Sequence, residues 1–284
     1  MPQKQDLKMP KLKHFVSLLC LLVIHQMAYS QLGFSHEIGV IVGPVEFRSD
    51  FGSRNEETTN LGNSGIGIGL IHYISFAYSA DCNCYTTDTY FNDHFKLRSE
   101  ISWNKTNLDH LGFWVQPDKT SVNADRLSAH EGVAENFDIG MQLEYFPLSI
   151  RDFQGFAYRF APFVSLGAHY TTYSPKASTD FANPNPDAFG DIYDQTNFYS
   201  YWFDNYIPGE TPYPINVDGG STWSVVASVG VRYKLTKLSD LMLDLRWQYY
   251  FSDWIDGLDH NWRNFDRRDD WLVWLNFGYV YYLD

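Results

Sequence analysis

The C-terminal segment Trp271–Tyr282 alternates two kinds of side chain with a period of two residues. Its odd positions carry large apolar or aromatic groups, and its even positions mix polar, small and bulky groups. A period of two is typical of a β-strand, because successive side chains of a strand point to opposite faces. One apolar face and one mixed face predict a strand with lipid on one side and a narrow, packed interior on the other.

Seven further segments repeat this period, at about residues 34–47, 64–78, 95–104, 133–146, 158–173, 222–235 and 241–251. Lipid supplies no hydrogen-bond partners, so only apolar helices and closed β-barrels span a membrane. No segment reaches the roughly 20 apolar residues that a spanning helix needs. The sequence therefore predicts an all-β fold: an eight-stranded, antiparallel, up-and-down transmembrane β-barrel in the outer membrane. An even strand number is typical of such barrels.

Aromatic content supports this prediction. Phe, Trp and Tyr make up 18% of the chain. Trp and Tyr favour membrane–water interfaces because each ring system is largely apolar but carries one polar N–H or O–H group. The alternative is a soluble β-sandwich. The long apolar runs on the predicted outer faces argue against it, since a soluble protein seldom exposes such surfaces.

The N-terminus predicts export. Four lysines between Lys4 and Lys13 precede an apolar run at residues 15–24, and Ala28 and Ser30 are small residues of the kind that signal peptidase reads. Ten apolar residues fall short of the roughly 20 that span a bilayer. We expect residues 1–30 to be a cleaved signal peptide and residues 31–284 to form one barrel domain.

The net charge excludes nucleic acid as a partner. The whole chain carries 21 basic and 34 acidic residues. Removal of residues 1–30 takes four lysines and one aspartate, which leaves 17 basic against 33 acidic residues. Nucleic-acid binding depends on Lys and Arg contacts to phosphate, which an acidic surface repels.

The connections fit a barrel whose first strand runs outward. The periplasmic turns are then residues 79–94, 147–157 and 236–240, and the outer loops are 48–63, 105–132, 174–221 and 252–270. Outer loops are expected to be the longer set. Loop 174–221 contains six prolines, which are incompatible with central strand pairing and predict an exposed, functional or mobile loop.

The predicted inner faces carry acids and bases in near balance. An eight-stranded barrel is only wide enough for side chains to fill it, and an uncompensated buried ion costs several kcal/mol. We therefore expect a structural ion-pair network and a filled interior, with a proton relay as the alternative. The predicted members are Glu37, Lys96, Arg98, Glu100, Asp138, Glu144, Arg159, Arg232, Lys234, Asp244 and Arg246.

Other motifs predict little chemistry. Cys82 and Cys84 are too few ligands for a structural zinc site; a strained local disulfide, a cross-link to a partner and an inert pair all remain open. The glycines of residues 65–69 continue as a strand, whereas a dinucleotide-binding loop opens a helix. We expect no cofactor and no metal.

Two histidines are the candidates for an enzymatic base. His130 with Glu131 lies in a predicted outer loop, and His169 with Ser165 faces the predicted interior. No catalytic motif surrounds either pair, so the sequence favours a non-enzymatic protein.

Residues 36–43, 65–70, 160–167, 230–235 and 245–256 together resemble a Bacteroidota family of small outer-membrane barrels. Named relatives in that family are the PorG-like barrel subunits of the type IX secretion and gliding machinery. Some similar flavobacterial sequences are labelled glutamate dehydrogenase, a label that does not fit a chain without a dinucleotide-binding unit.

The resemblance implies a non-enzymatic barrel that contacts periplasmic or outer-membrane lipoproteins of a secretion complex. Two alternatives are a free-standing surface barrel whose outer loops bind a ligand or a surface, and a small lipid-modifying enzyme. For the first interpretation, the candidate contacts lie in two inner turns: Arg151, Asp152 and Phe153 in one, and Cys82, Cys84 and Tyr85 in the other.

Overall fold

The computed structural model describes residues 34–52, 56–76, 90–181, 197–203, 207–208, 213–259 and 270–283. The predicted signal peptide and the residues Cys82, Cys84 and Tyr85 lie outside these ranges.

The described chain is mostly strand. The strands are β1 (Ser35–Arg48), β2 (Ser64–Ser75), β3 (Phe95–Asp109), β4 (His130–Tyr145), β5 (Phe160–Tyr173), β6 (Lys176–Thr179), β7 (Gly220–Thr236), β8 (Ser239–Tyr250) and β9 (Trp271–Tyr282). Short helices connect some of them: α1 (Glu57–Gly62), α2 (Tyr90–His94), α3 (Val122–Ser128) and α4 (Ile150–Gln154), with single 3-10 turns at Phe113–Val115 and Ser200–Phe203. None of the helices in the described ranges has the length and apolar character to cross a membrane.

Every neighbouring pair of strands is antiparallel, and the sheet closes on itself. The order around the wall is β1, β2, β3, β4, β5, β7, β8 and β9, and β9 pairs with β1 from Glu37↔Tyr282 to Arg48↔Trp271. Strand β6 continues the line of β5 after a break at residues 174–175 and pairs with the outer end of β4, from His130↔Thr179. The wall therefore has eight positions, which confirms the predicted closed eight-stranded barrel.

The β3–β4 hairpin is longer than the sequence predicted. The expected strands ended at Asn104 and resumed at Val133, whereas pairing continues to Asp109↔Glu131. In this extension the outward residues are polar, as at Lys105 and Asn107, because the hairpin has left the lipid; the inward Leu108 packs under the outer loops. An apolar outer face therefore marked only the membrane part of the hairpin.

Two belts of aromatic side chains ring the barrel. The periplasmic belt contains Phe34, Phe76, Phe91, Phe95, Tyr145, Phe160 and Tyr233, with neighbouring ring centroids 4.8–5.8 Å apart. The outer belt contains Trp103, Phe137, Tyr170, Trp223, Trp247 and Trp271, with Tyr170–Trp223 at 5.3 Å and Trp247–Trp271 at 6.4 Å.

The spacing of the belts matches a bilayer. Ten residues separate Phe160 from Tyr170 on β5; at about 3.3 Å per residue and a tilt of about 40°, they span about 25 Å along the membrane normal. Between the belts the outward residues are apolar and exposed, among them Leu166, Val229 and Met141. The protein is an outer-membrane β-barrel, with its short turns at the periplasmic end.

Candidate functional site: the barrel interior and its two ends

Strand alternation directs eleven charged side chains into the barrel, each at most 2% exposed. The acids outnumber the bases by one, and all lie on inward positions of their strands. The acids are Glu37, Glu100, Asp138, Glu144, Asp240 and Asp244, and the bases are Lys96, Arg98, Arg232, Lys234 and Arg246.

The periplasmic half of the interior is one chain of ion pairs. Glu37 bridges Lys96 and Arg232, with 2.6 Å from the Arg232 guanidinium to Glu37 Oε2. Arg232 continues to Asp240 at 3.0 Å, and Asp240 to Lys234 at 3.2 Å. Because every member is shielded from water, loss of one partner leaves a buried charge uncompensated.

The outer half of the network is built around Arg98 and Glu100. Arg98 pairs with Asp244 at 2.9 Å and with Glu100 at 2.7 Å, and Arg246 donates two hydrogen bonds to Glu100, both of 2.6 Å. Tyr73 joins the two halves. Its hydroxyl donates to Glu144 at 3.0 Å, and the Arg232 guanidinium lies 4.9 Å from the centre of its ring.

Asp138 is held by neutral donors instead. Thr171, Gln248 at 2.8 Å and Asn104 at 3.3 Å donate to its carboxylate. It has no ion-pair partner within the described ranges. The three donors lower the cost of burying this carboxylate, although none of them carries a countercharge. Asp138 lies closer to the outer end of the barrel than the ion pairs do.

Two predictions about the interior need correction. Arg159 is exposed, because it precedes the first inward residue of β5, and its guanidinium donates to the Tyr233 hydroxyl at 3.4 Å on the outside. The sequence pattern predicts a turn at Asp240, whereas in the structure Asp240 is a central member of the network. Residues 239–241 continue the alternation of β8, and that signal could have placed Asp240 inside.

The periplasmic end is closed by α4. Ile150 and Phe153, three residues apart on one face of this helix, are both 1% exposed. The Phe153 ring lies 5.3 Å from Lys234 Nζ, so it covers the last base of the network. Phe153, which the sequence predicts to contact a partner, is instead buried here, because the apolar side of its helix turns into the barrel. Arg151 and Asp152 remain exposed on the opposite side.

An ion pair joins α4 to α2, and two hydrogen bonds of Ser149 hold the start of α4 in place. Arg151 Nε donates to Asp93 Oδ1 at 3.2 Å, and the Ser149 hydroxyl accepts from the Asp152 amide at the start of α4. The Tyr158 hydroxyl donates to the Ser149 carbonyl at 2.5 Å. Burial, with a smaller contribution from the Asp152 carboxylate, raises the pKa of Tyr158 to about 12. The phenol therefore keeps its proton and this hydrogen bond well into alkaline pH.

Apolar side chains of the outer loops close the outer end and continue the hydrophobic cluster of the barrel. Phe51, Phe198 and Trp202 are at most 4% exposed. The ring of the buried His130 lies 4.6 Å from that of Trp202 and 5.2 Å from that of Phe198, and Phe51 stacks on His110 at 5.0 Å. Backbone pairing of Ile215 with Leu258 joins two of the loops. We call this folded part, built from the described residues of the outer loops, the outer cap.

The two candidate catalytic histidines lie apart and are enclosed. His130 is 2% exposed inside the outer cap, and His169 is 0% exposed in the interior, 3.2 Å from the Gln142 amide nitrogen. Ser165 donates to Gln142 rather than to His169, and Glu131 is exposed on the outer face of β4. In this conformation neither imidazole reaches a lipid.

The described residues form no assembled metal site. Within those ranges, no group of three or more His, Cys, Asp or Glu side chains could hold a metal ion. The chemistry of the interior is accordingly that of paired ions and hydrogen bonds.

Comparisons with known proteins concern the fold. No family model matches the chain, and no curated protein matches it. Among solved structures it is similar to Neisserial surface protein A (9% identity, TM-score 0.44, covering 87% of this chain and 96% of that one). It is also similar to a major outer membrane protein from Thermus thermophilus (13%, 0.42, 87% and 99%) and to Ail of Yersinia pestis (11%, 0.39, 89% and 100%). The fold assignment here rests on the strand pairing itself.

Proposed function

We propose that this protein is a scaffold in the outer membrane that holds periplasmic or outer-membrane lipoproteins of an envelope complex, linked to type IX secretion and gliding. The observation that supports this proposal best is that the barrel interior is filled and both of its ends are covered. Ion pairs fill the interior, Phe153 covers its periplasmic end, and the outer cap covers the other end. A barrel filled in this way offers its outer surfaces, rather than a pore, for function.

The periplasmic end offers a rigid surface for a partner. We call the exposed side chains of α2, α4 and their flanking residues that lie outside the aromatic belt the periplasmic platform: Tyr90, Leu148, Arg151 and Asp152. The Arg151–Asp93 ion pair and the hydrogen bonds of Ser149 and Tyr158 hold it in place. A surface that is ordered before binding lowers the entropy cost of complex formation, and aromatic and arginine side chains are enriched at protein interfaces.

Affinity purification from native membranes tests the proposal. We expect periplasmic lipoproteins to co-purify with the wild-type barrel and to be lost with Leu148→Asp, which puts a charge into the platform. Leu61→Asp on α1 is the matched control, since Leu61 is 59% exposed at the outer end and Leu148 is 45% exposed at the inner end. Isolation of the wild-type barrel alone, or equal recovery of partners with Leu148→Asp, would contradict the scaffold.

The outer cap supports a second candidate function, binding of a ligand or a surface. Phe113, Trp114 and Val122 are exposed by 49%, 61% and 57% at the tip of the β3–β4 hairpin. The Phe113 and Trp114 rings are in contact, with centroids 5.2 Å apart, and a contiguous exposed apolar patch indicates an interaction site. If the protein works this way, Trp114→Ala should abolish binding of purified barrels to a target surface, while Leu148→Asp leaves that binding unchanged.

A further inference from the structure

His130 is a buried polar side chain in the outer cap without a hydrogen-bond partner. It is 2% exposed, and neither its Nδ1 nor its Nε2 has a partner among the described residues. Three rings lie against it, with centroids at 4.6 Å (Trp202), 5.2 Å (Phe198) and 5.3 Å (His110). An unpaired buried polar group is costly, and a phenylalanine would fill a similar space without that cost. Packing alone therefore does not account for a histidine at this position.

His130 joins the barrel wall to an outer loop. It is the first residue of β4 and lies seven residues beyond Phe137 of the outer belt, so it is outside the membrane. Its ring partner Trp202 belongs to the turn Ser200–Phe203 and is 4% exposed. The contact between the two rings is therefore a point at which the loop is attached to the end of the barrel.

The neighbouring titratable groups give His130 no counterion. His110 is the group that faces it, and His110 Nδ1 accepts the Gly52 N–H at 2.8 Å, a bond that holds this nitrogen unprotonated. The buried Asp256 carboxylate accepts the backbone amides of Asp50 and Leu258, each at 2.8 Å. The charged side chains of the adjoining strand ends are exposed on the outside: Asp109, Glu131, Lys176 and Asp180. On α3, Asp125 is exposed and the Arg126 guanidinium lies 5.3 Å from the Phe181 ring.

Protonation of His130 would place an unpaired charge among these rings. Burial lowers the pKa of His130 to about 3, from about 6.5 for an exposed imidazole. The face of Trp202 attracts a cation, but this attraction is weaker than the cost of burying an unpaired charge. The closed cap thus favours the neutral ring. Its stability is complete above about pH 6.5 and is lost as the pH falls toward about 3.

We propose that His130 is an acid switch of the outer cap: below about pH 6 its protonation releases the Ser200–Phe203 turn from the barrel wall and exposes the rings of Phe198 and Trp202. A histidine is suited to this role because its charge changes in the pH range that a cell surface meets. The inference goes beyond the proposed scaffold function and does not depend on it, since the periplasmic platform lies at the opposite end of the barrel.

Hydrogen exchange of the outer loops tests the switch. The barrel in lipid vesicles is labelled between pH 5 and pH 8, and mass spectrometry follows the peptide that contains Trp202. Each rate is divided by the rate in His130→Phe at the same pH, which cancels the intrinsic pH dependence of exchange. We expect this ratio to be about 30-fold higher at pH 5 than at pH 8, since the pKa of His130 is about 3 in the closed cap and about 6.5 in the open cap.

His94→Phe is the matched control. His94 is half-buried at the periplasmic end, where its Nδ1 lies 2.6 Å from the Phe146 carbonyl oxygen. This variant should keep the wild-type pH dependence of exchange in the outer loops. Heat-modifiable gel mobility identifies folded variants, and His130→Leu, which also binds no proton, replaces His130→Phe if that variant does not fold.

Three results would overturn the proposal. The first is a ratio that stays the same between pH 8 and pH 5. The second is an equal rise in exchange of peptides from β8, since acid would then be unfolding the whole barrel. The third is pH dependence that is lost with His110→Phe and kept with His130→Phe, which would assign the switch to His110.

Discussion

The membrane part of the barrel and the outer cap are both closed, but charged side chains make up much more of the barrel interior than of the cap. The barrel interior holds eleven charged side chains, most of them in ion pairs, whereas the cap buries Phe51, Phe198 and Trp202 in one apolar cluster. In the barrel, strand register fixes each Cα, so acids and bases can be paired within about 3 Å. Loops provide no comparable register, and apolar burial tolerates variation in position that ion pairs do not. Rigid backbone is therefore what makes an ionic core workable here.

Removal of one interior charge should give the largest effect. Glu37→Gln leaves both Lys96 and Arg232 without their shared carboxylate. Loss of one partner from a buried ion pair costs about 3–5 kcal/mol. We expect that decrease in the free energy of unfolding, measured by urea titration of the barrel in lipid vesicles with tryptophan fluorescence as the signal.

Asp138→Asn is the matched control for this experiment. Asp138 has only neutral donors, so an amide of the same shape preserves most of its hydrogen bonds, and the cost should be about 1 kcal/mol. If the two variants lose equal stability, the ionic interior is not what distinguishes the barrel from the cap.

Truncation of one buried side chain in the outer cap should destabilise the outer loops and leave the barrel folded. Trp202→Ala removes a buried ring that stacks on His130, and large-to-small changes of this kind cost about 3 kcal/mol or more. We expect faster hydrogen exchange and faster proteolysis of the outer loops, while heat-modifiable mobility of the barrel stays as in the wild type.

Tyr201→Ala in the same turn is the control for the cap, since Tyr201 is 41% exposed and should have little effect. Unfolding of the whole barrel by Trp202→Ala would show that the cap and the membrane part form one cooperative unit.

A methyl group added at Gly67, an inward glycine of β2, should give an intermediate effect. Gly67→Ala brings a Cβ to 2.4 Å from the Trp274 ring, and overpacking costs about 1–3 kcal/mol. Gly155→Ala, whose Cβ meets nothing closer than 3.3 Å, is the control in the periplasmic turn. Urea titration measures the free energy of unfolding of both variants. If the two variants are equally stable, β2 has room to move outward and accommodate the methyl group.

The smallest expected effect is the pH dependence of stability that Tyr158 contributes at the periplasmic end. Because the pKa of Tyr158 is raised to about 12 from an unfolded value of about 10, the folded state favours the neutral phenol. Its contribution to stability is complete below about pH 10 and is lost as the pH rises through about 12. A difference titration at a wavelength where tyrosinate absorbs, between wild type and Tyr158→Phe, should show one phenol ionising near pH 12. Ionisation at the ordinary pKa of tyrosine would mean that Tyr158 is not enclosed.

The membrane part of this molecule could be predicted from sequence and the outer cap could not. Period-two alternation separates inside from outside on each strand, which placed most of the charged network, Glu37 and Arg232 included, correctly on inner faces. It failed where a strand ends, as at Arg159, and where a turn is shorter than expected, as at Asp240. Nor did it predict that Phe153 turns into the barrel or that the buried His130 stacks on a loop tryptophan, since such contacts join residues far apart in sequence.

Site-directed spin labelling along β4 shows whether this strand spans the membrane, using single cysteines in a Cys82→Ser, Cys84→Ser background in lipid vesicles. We expect oxygen accessibility at the odd positions 135–145 to peak at Met141 and to fall toward Glu135 and Tyr145, where a water-soluble nickel reagent has greater access. Uniform access of the nickel reagent along these outward positions would contradict a membrane-spanning barrel.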